Sequence, residues 1–427
     1  MQAMKSTRAR SAVVGLALAL ITASAAIGIG SAGAAGSVRG FAGTTVTVGQ
    51  IGYKAQLSGA GPGAEARIKR FNDTNEIKGI KIKYTEFADD QRDPATTLSE
   101  ARRLVSQVGV FAIVGDVSIT NPVQYFTQEH VPYFGGGFDN TYCSPKPSTK
   151  LWGFSLQGCV NPQAPYKVSD NFRPLYQYVS KKTGKKHPTL VLFGQDNETA
   201  RNGIRVFKIA SIGTGFNVTA TKTIIPSNIG TINDYTPYAT AVINAGANGQ
   251  QPDAINCVGG TECINMWQLL KSLGYKGIYS NGLYSDILVK ALAGSVIANL
   301  TNNMSLDTPG VKQMKADLDA FKPGLSSKVD LPTEYGYAST DMFIAALKKV
   351  AAKGKRNITP ENVQKAASTM TWKIDGLQGP TQYPQASVMI YPACGQVSAS
   401  DGVSWTIQVP YACSKKQYSP NLKQAKN

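Results

Sequence analysis

The sequence predicts an α/β protein made of two doubly wound halves. Three observations carry that expectation. From Thr45 onward, β-rich runs alternate with amphipathic stretches, and the alternation restarts after Cys159. Apolar residues make up 42% of the 427 residues, enough for packed cores, so wholesale disorder is excluded. At roughly 100–200 residues per domain, the length allows two or three domains.

The elements follow in order. Thr45–Ile51 reads as a strand, and beyond a Gly-rich turn Gly63–Asn75 carries apolar residues at helical spacing. Ile80–Phe87 alternates as a strand, and Pro94–Gln107 places Leu98, Ala101, Leu104 and Val105 on one helix face. Phe111–Gly115 is a short buried strand, Pro122–His130 a helix and Val131–Phe134 another strand. In the second half, helices are expected at Tyr166–Lys181, Thr199–Ile212, Tyr235–Ala245 and Ile264–Leu273. Strands are expected between them at Thr189–Phe193, Val218–Ile225, Ala254–Val258 and Gly277–Ser280. Thr340–Ala352 and Pro360–Ser368 read as further helices, and Lys415–Asn427 as a frayed basic tail.

The N-terminus carries a targeting pattern. Lys5, Arg8 and Arg10 precede the uncharged run Ser11–Gly30, and Ala32-Gly33-Ala34 is a small-x-small cleavage site. An uncleaved membrane anchor is the rival, because the neutral run approaches the ~20 residues that span a bilayer. Its Ala, Gly and Ser content favours a cleaved signal peptide at residues 1–34. Cleavage leaves 393 residues and lowers the formal charge from +17 to +14. No cysteine lies near that point, so an extracytoplasmic, unlipidated product is expected.

Cys143, Cys159, Cys257, Cys263, Cys394 and Cys413 form an even set behind an export signal, which reads as disulfides. Several connectivities are open; nearest-neighbour pairing closes three short loops, and a bridge over about 15 residues contributes roughly 3 kcal/mol. No C-x-x-C spacing supports zinc. With only His130 and His187, a multi-histidine metal site or a His-based triad is disfavoured, and no metal or cofactor is expected.

Gly59-Ala60-Gly61-Pro62-Gly63-Ala64 matches G-x-G-x-x-G/A, with Glu86 22 residues beyond Ala64. Against a dinucleotide site, seven residues separate Ile51 from Gly59, Pro62 stiffens the turn, and an exported protein lacks a nicotinamide supply. A flexible ligand-loop turn fits better. No G-x-S-x-G, H-E-x-x-H or P-loop occurs. Asp89-Asp90 reads as a solvated turn pair, and both histidines as surface residues. In Gly115–Pro122, Ser118 or Thr120 either caps the helix that Pro122 opens or, with free N–H groups, holds a carboxylate. Ligands of open α/β sheets sit beyond strand carboxyl ends, where this loop lies.

TVTVGQIGY, GPGAEARIKRFN, IKGIKIKYTEFADDQRDPATTLSEARRLV, FAIVGDVSITNPV and VPYFGGG stand in an order found elsewhere. From about Thr44 to Trp405 the chain resembles the extracytoplasmic substrate-binding proteins of branched-chain amino acid ABC transporters. The resemblance implies the type I periplasmic binding fold: two Rossmann-like lobes joined by a three-crossing hinge. Matching segments assign 44–158 and 302–385 to lobe one, 159–301 and 386–414 to lobe two, and 415–427 to the tail. Gly379-Pro380 looks like the family's late recrossing of the hinge.

Ligand groups carry over residue by residue. Ser118 and Thr120 match the loop that holds the ligand carboxylate, and Gly137, Phe138 and Asp139 match the segment after the fourth strand. Lobe two departs from the pattern. Asn197 to Thr199 and Thr261 stand where amino-acid binders commonly present tyrosines, and Leu283, beside Tyr284, stands where an acidic residue meets the ligand ammonium. With Leu283 there, only Asp139 or Glu262 could pair that ammonium, and burying it unpaired costs several kcal/mol. A small carboxylate or aromatic compound held by Tyr53, Phe138 and Tyr284 therefore fits better than an aliphatic amino acid.

The resemblance implies a binding protein, not an enzyme. It would close on a small molecule and deliver it to an ABC transporter permease, as a monomer with no nucleic-acid partner. The alternatives are a ligand-sensing receptor ectodomain of the same fold and an exported hydrolase. The charge of +14 either steers acidic ligands and tethers the protein to anionic envelope polymers or reflects scattered solubilising lysines.

Overall fold

The computed structural model describes residues 38–143, 150–162, 166–227 and 229–420. The signal peptide expected at 1–34 and the end of the expected tail, from residue 421, lie outside these residues. No helix among the described residues is long and apolar enough to cross a membrane.

The first lobe begins with β1 (Thr45–Gly52), α1 (Lys54–Leu57), α2 (Ala60–Asp73), β2 (Lys81–Asp89) and α3 (Pro94–Arg102). It continues with β3 (Ala112–Asp116), α4 (Val123–Gln128), β4 (Tyr133–Gly135) and β5 (Gly153–Ser155). The second lobe holds β6 (Val168–Ser169), α5 (Arg173–Thr183), β7 (Thr189–Gln195), α6 (Glu198–Thr214) and β8 (Asn217–Ile225). There follow α7 (Thr236–Ile243), β9 (Ala254–Val258), α8 (Glu262–Ser272), β10 (Ile278–Asn281) and β11 (Val296–Asn299). The chain then forms α9 (Pro309–Phe321), α10 (Leu331–Ala351), α11 (Pro360–Ala367), β12 (Thr371–Ile374) and β13 (Gln378–Gln382). It ends with β14 (Ala393–Ser400), β15 (Trp405–Ser414) and β16 (Gln417–Tyr418).

The first sheet is parallel in the order β2-β1-β3-β4-β5. In the second, β8-β7-β9-β10-β11 repeats that order, and the antiparallel pair β14–β15 extends it. Both sheets therefore reverse their winding between first and third strand, which opens a crevice beyond the strand carboxyl ends. Three connections run between the sheets: 156–167, 300–308 and 383–392. The first and third touch, Cys159 N–H donating to Ala386 O at 2.7 Å, and Gln378 Nε2 of β13 donates to Leu156 O of the first at 3.2 Å. Gly379-Pro380 lies in β13, before the third connection, and is cis.

The nearest-neighbour disulfides are present at Cys143–Cys159, Cys257–Cys263 and Cys394–Cys413. The last joins directly opposed residues of β14 and β15.

Several elements differ from expectation. The glycine run at 59–64 is no loop: Ala60 starts α2, and Pro62 sits in its first turn, where a missing N–H costs nothing. Its glycines let α2 and α10 touch backbone to backbone. A Cβ on Gly63 would lie 2.1 Å from Thr333 O, and one on Gly336 1.9 Å from Ala60 O. Helix α10 starts nine residues before the expected Thr340, because Asp330 caps it by accepting from Thr333 N at 2.8 Å. Its Tyr- and Gly-containing first half has weak helix propensity and is held by packing on α2. The helix expected from Tyr166 starts at Arg173, where Pro174 opens it. The tail is docked at its start: β16 pairs with β6, and Tyr418 Oη donates to buried Asp170 at 2.6 Å. Helix α9, strand β11 and the strands from β12 onward had no counterpart in the sequence reading.

An ion network fastens α2, α9 and α10. Arg67, 2% exposed, donates to both Glu76 carboxylate oxygens at 2.7 and 3.1 Å and to Asp341 at 2.6 Å. Arg70 reaches Asp317 at 2.9 Å, and Lys348 reaches Glu76 at 2.5 Å. Burial opposes charge on Glu76, but the hydrogen bonds and charges of Arg67 and Lys348 outweigh it and hold its pKa at about 2. Because that pKa lies below the unfolded value, the stabilisation is complete above about pH 4.5 and is lost as pH falls through about 2. Glu76→Gln should cost about 3 kcal/mol near neutral pH. It should also flatten that acid limb in urea denaturation measured at several pH values; an unchanged limb would show that the network does not carry it.

Candidate functional site

The carboxyl ends of β1, β2, β7 and β9 face one cavity of about 410 Å³. Tyr53 and Arg92 line it from the first lobe, and Gln195, Asn197 and Thr261 from the second. Side chains meet across it: Arg92 Nη2 donates to Gln195 Oε1 at 3.0 Å, and Gln56 Nε2 to Thr261 Oγ1 at 3.3 Å. The Arg92 guanidinium also lies 5.4 Å from the centre of the Tyr53 ring.

Arg92 is aimed by a strained turn. Gln91 and Arg92 both have left-handed backbones, with φ of 51° and 59°. Asp90 holds that turn by accepting from Arg92 N at 2.9 Å. Asp90 is fully buried, which corrects its expected place in a solvated turn, and burial raises its pKa despite donation from the Ser118 hydroxyl at 2.6 Å. Sequence reasoning passed over Arg92; a lone arginine between acidic residues at the carboxyl end of the second strand was the available signal.

Six of the ten expected ligand residues line the cavity: Tyr53, Phe138, Asn197, Thr261, Leu283 and Tyr284. Ser118, Thr120, Gly137 and Asp139 do not. The loop after β3 turns its groups inward onto buried carboxylates. Ser118 donates to Asp90, Ser118 N to Asp116 at 3.1 Å, and Asn121 N to Asp139 at 2.9 Å. The Thr120 hydroxyl meets that of Thr97 at 2.8 Å, and neither Ser118 nor Thr120 caps α4. Of this loop's 118–120 stretch, Ile119 lines the cavity. Burial, with the nearby Asp139 charge, pushes Asp116 up to about 8 against the Tyr142 and Asn121 hydrogen bonds. Gly137 packs on β5, where a Cβ would lie 2.2 Å from Ser155 Oγ. Asp139 caps the turn Asn140–Tyr142 through Thr141.

The second lobe presents neutral amides. Gln195 Nε2, Asn281 Nδ2 and Asn299 Nδ2 are buried cavity groups without a protein partner. The disulfide Cys257–Cys263 staples the end of β9 to α8 around Gly259–Thr261. Glu262 lies outside the lining, with Oε1 accepting from Gly260 N at 2.8 Å. Tyr284 is buried and donates to Asp286 at 2.8 Å. The lining contains no histidine or lysine; its ionisable groups beyond the tyrosines are Arg92 and Asp330, and Asp330 caps α10 through Oδ1. Among the described residues no group of three or more His, Cys, Asp or Glu could hold a metal ion. The surface histidines are elsewhere: His130 pairs with Glu361 at 3.0 Å, and His187 meets Gly215 O. The cavity thus offers one cation, amide donors and apolar walls, a set suited to an anion with an apolar body.

A family model described as periplasmic binding protein matches residues 49–390. A fatty acid ABC transporter substrate-binding protein from Thermomonospora curvata superposes with a TM-score of 0.70 at 17% identity, covering 89% of this chain and 95% of its own. A branched-chain amino acid ABC transporter structure from Thermus thermophilus with bound valine gives 0.67 at 16% identity, covering 87% and 97%. An R. palustris ABC transporter solute-binding protein in complex with 4-hydroxybenzoate gives 0.65 at 16%, covering 87% and 98%. At such identities the likeness is one of fold. No curated protein gives a significant match to the sequence.

Ser118→Ala should leave Asp90 buried without that donor and lower stability by about 1–3 kcal/mol. Urea denaturation checks this, and an unaltered midpoint would contradict the inward commitment of the loop.

Proposed function

The chain belongs to the periplasmic binding protein family, and on that premise we propose that it captures a small monocarboxylate between its lobes and hands it to an ABC importer. The family consists of solute-binding proteins that work outside the cytoplasm. This member would act there as an exported monomer without a lipid anchor, presenting its closed form to a membrane permease. It would bind without turnover, as expected of a cavity lacking a nucleophile and base in partnership.

The charge of the cavity carries this proposal. Arg92 has five N–H donors in a planar fork, and one is directed at Gln195, which leaves others for a carboxylate. The one acidic group in the lining is Asp330, whose Oδ1 is engaged in the α10 cap, while Glu262 and Asp139 lie outside the lining. An amino acid would bring an ammonium whose one acidic lining partner already caps α10, and an ammonium left unpaired there costs several kcal/mol. The neighbours from Thermus thermophilus and R. palustris hold valine and 4-hydroxybenzoate on the same fold, so the lining decides the ligand. A ligand touching both Arg92 and the second-lobe amides would favour the closed state by its differential contacts.

A thermal-shift and calorimetry panel of aliphatic acids, aromatic acids, amides, leucine and valine tests the assignment. An acid without an ammonium should stabilise by about 2.7 kcal/mol at 100 times its dissociation constant. Arg92→Gln should weaken it by about 100-fold or more. Tight binding of leucine or valine would overturn the proposal.

A further inference from the structure

The cavity does not end at the crevice. Thr199, Ala200, Gly203 and Phe207 of α6 all line it, and their spacing puts them on one helix face. From Thr199 to Phe207 that face runs about 12 Å along the axis, away from the crevice. Phe172 and Leu175, at the start of α5, form the facing wall. The rings of Phe172 and Phe207 stand 5.0 Å apart where the lining of α6 stops. No charged residue lies along this wall.

Gly203 keeps this arm open. A Cβ there would meet only ordinary contacts, Val258 at 3.6 Å and Asn161 at 3.9 Å, so the glycine is not required by helix packing as Gly63 is. The arm's mouth adjoins the cation: α6 begins three residues after Gln195, the acceptor of the Arg92 hydrogen bond. A carboxylate at Arg92 therefore sits at the head of an uncharged slot along α6, walled by Phe172, Leu175 and Phe207 and bordered by the amides Asn161 and Asn171.

We propose that this slot is a chain-binding subsite and that the ligand is an unbranched aliphatic monocarboxylate, its carboxylate at Arg92 and its chain between α5 and α6. This rests on the monocarboxylate assignment above and adds the class of acid. A branched or aromatic body would fill the crevice and leave the slot unused. Each methylene buried in the slot should tighten binding about fourfold.

Titration calorimetry of the full chain with saturated acids from butanoate to dodecanoate, and with benzoate, tests this. Affinity should climb about fourfold per methylene and then level off as the slot fills. Gly203→Leu should remove the climb, so that decanoate binds no tighter than butanoate. Phe207→Ala should move the levelling point to longer chains, and it serves if the leucine variant fails to fold. Affinity independent of chain length, or the same climb in both variants, would overturn the slot while leaving the monocarboxylate assignment intact. Binding of no acid at all would overturn both.

Discussion

One buried carboxylate sets the character of the site. Asp90 accepts from the Arg92 amide and from the Ser118 hydroxyl, two groups from different loops. The first bond stabilises a left-handed turn that sends Arg92 into the crevice. The second draws the loop after β3 inward, away from it. Burial makes charge on Asp90 costly, so both donors are strongly required. The same interaction thus supplies the cavity with a cation from β2 and withdraws hydroxyl donors from β3.

Around that point, two lobes with the same winding order bring their switch points face to face, and three connections run between them. The packing of the first lobe rests on close helix contact. Gly63 and Gly336 bring α2 against α10, and the Arg67–Glu76–Asp341 network closes over the contact. That frame holds Asp330 at the head of α10, where its Oδ1 is taken by the cap. The second lobe contributes neutral amides and the long face of α6. A charge-poor lining with one guanidinium favours an anion whose remainder is apolar.

Much of the fold was legible because its periodicities are strong. Thr45–Ile51, Ala254–Val258 and Pro360–Ser368 lie within a residue or so of the observed elements. The cysteine pairs were legible because each closes a short loop. Elements without a clean period escaped, among them the β14–β15 hairpin and β11, which pairs with β14 far along the chain. The first half of α10 escaped for a related reason: Tyr335, Gly336 and Tyr337 are poor helix formers held by α2.

The sequence by itself determined the strand–helix order, the two-lobe class, the three disulfides and six of the residues that line the cavity. The element order and the disulfides follow from local pattern and short-range closure, whereas the lobes' hinge and the cavity residues are what the family resemblance implies. Only the tertiary structure decided that Ser118, Thr120 and Asp139 face inward, that the glycine run at 59–64 is a helix contact, and that Arg92 is the cation. Those outcomes turn on burial. Whether a polar group meets a ligand or another buried group depends on which segments fold over it, and residue type alone carries no record of that.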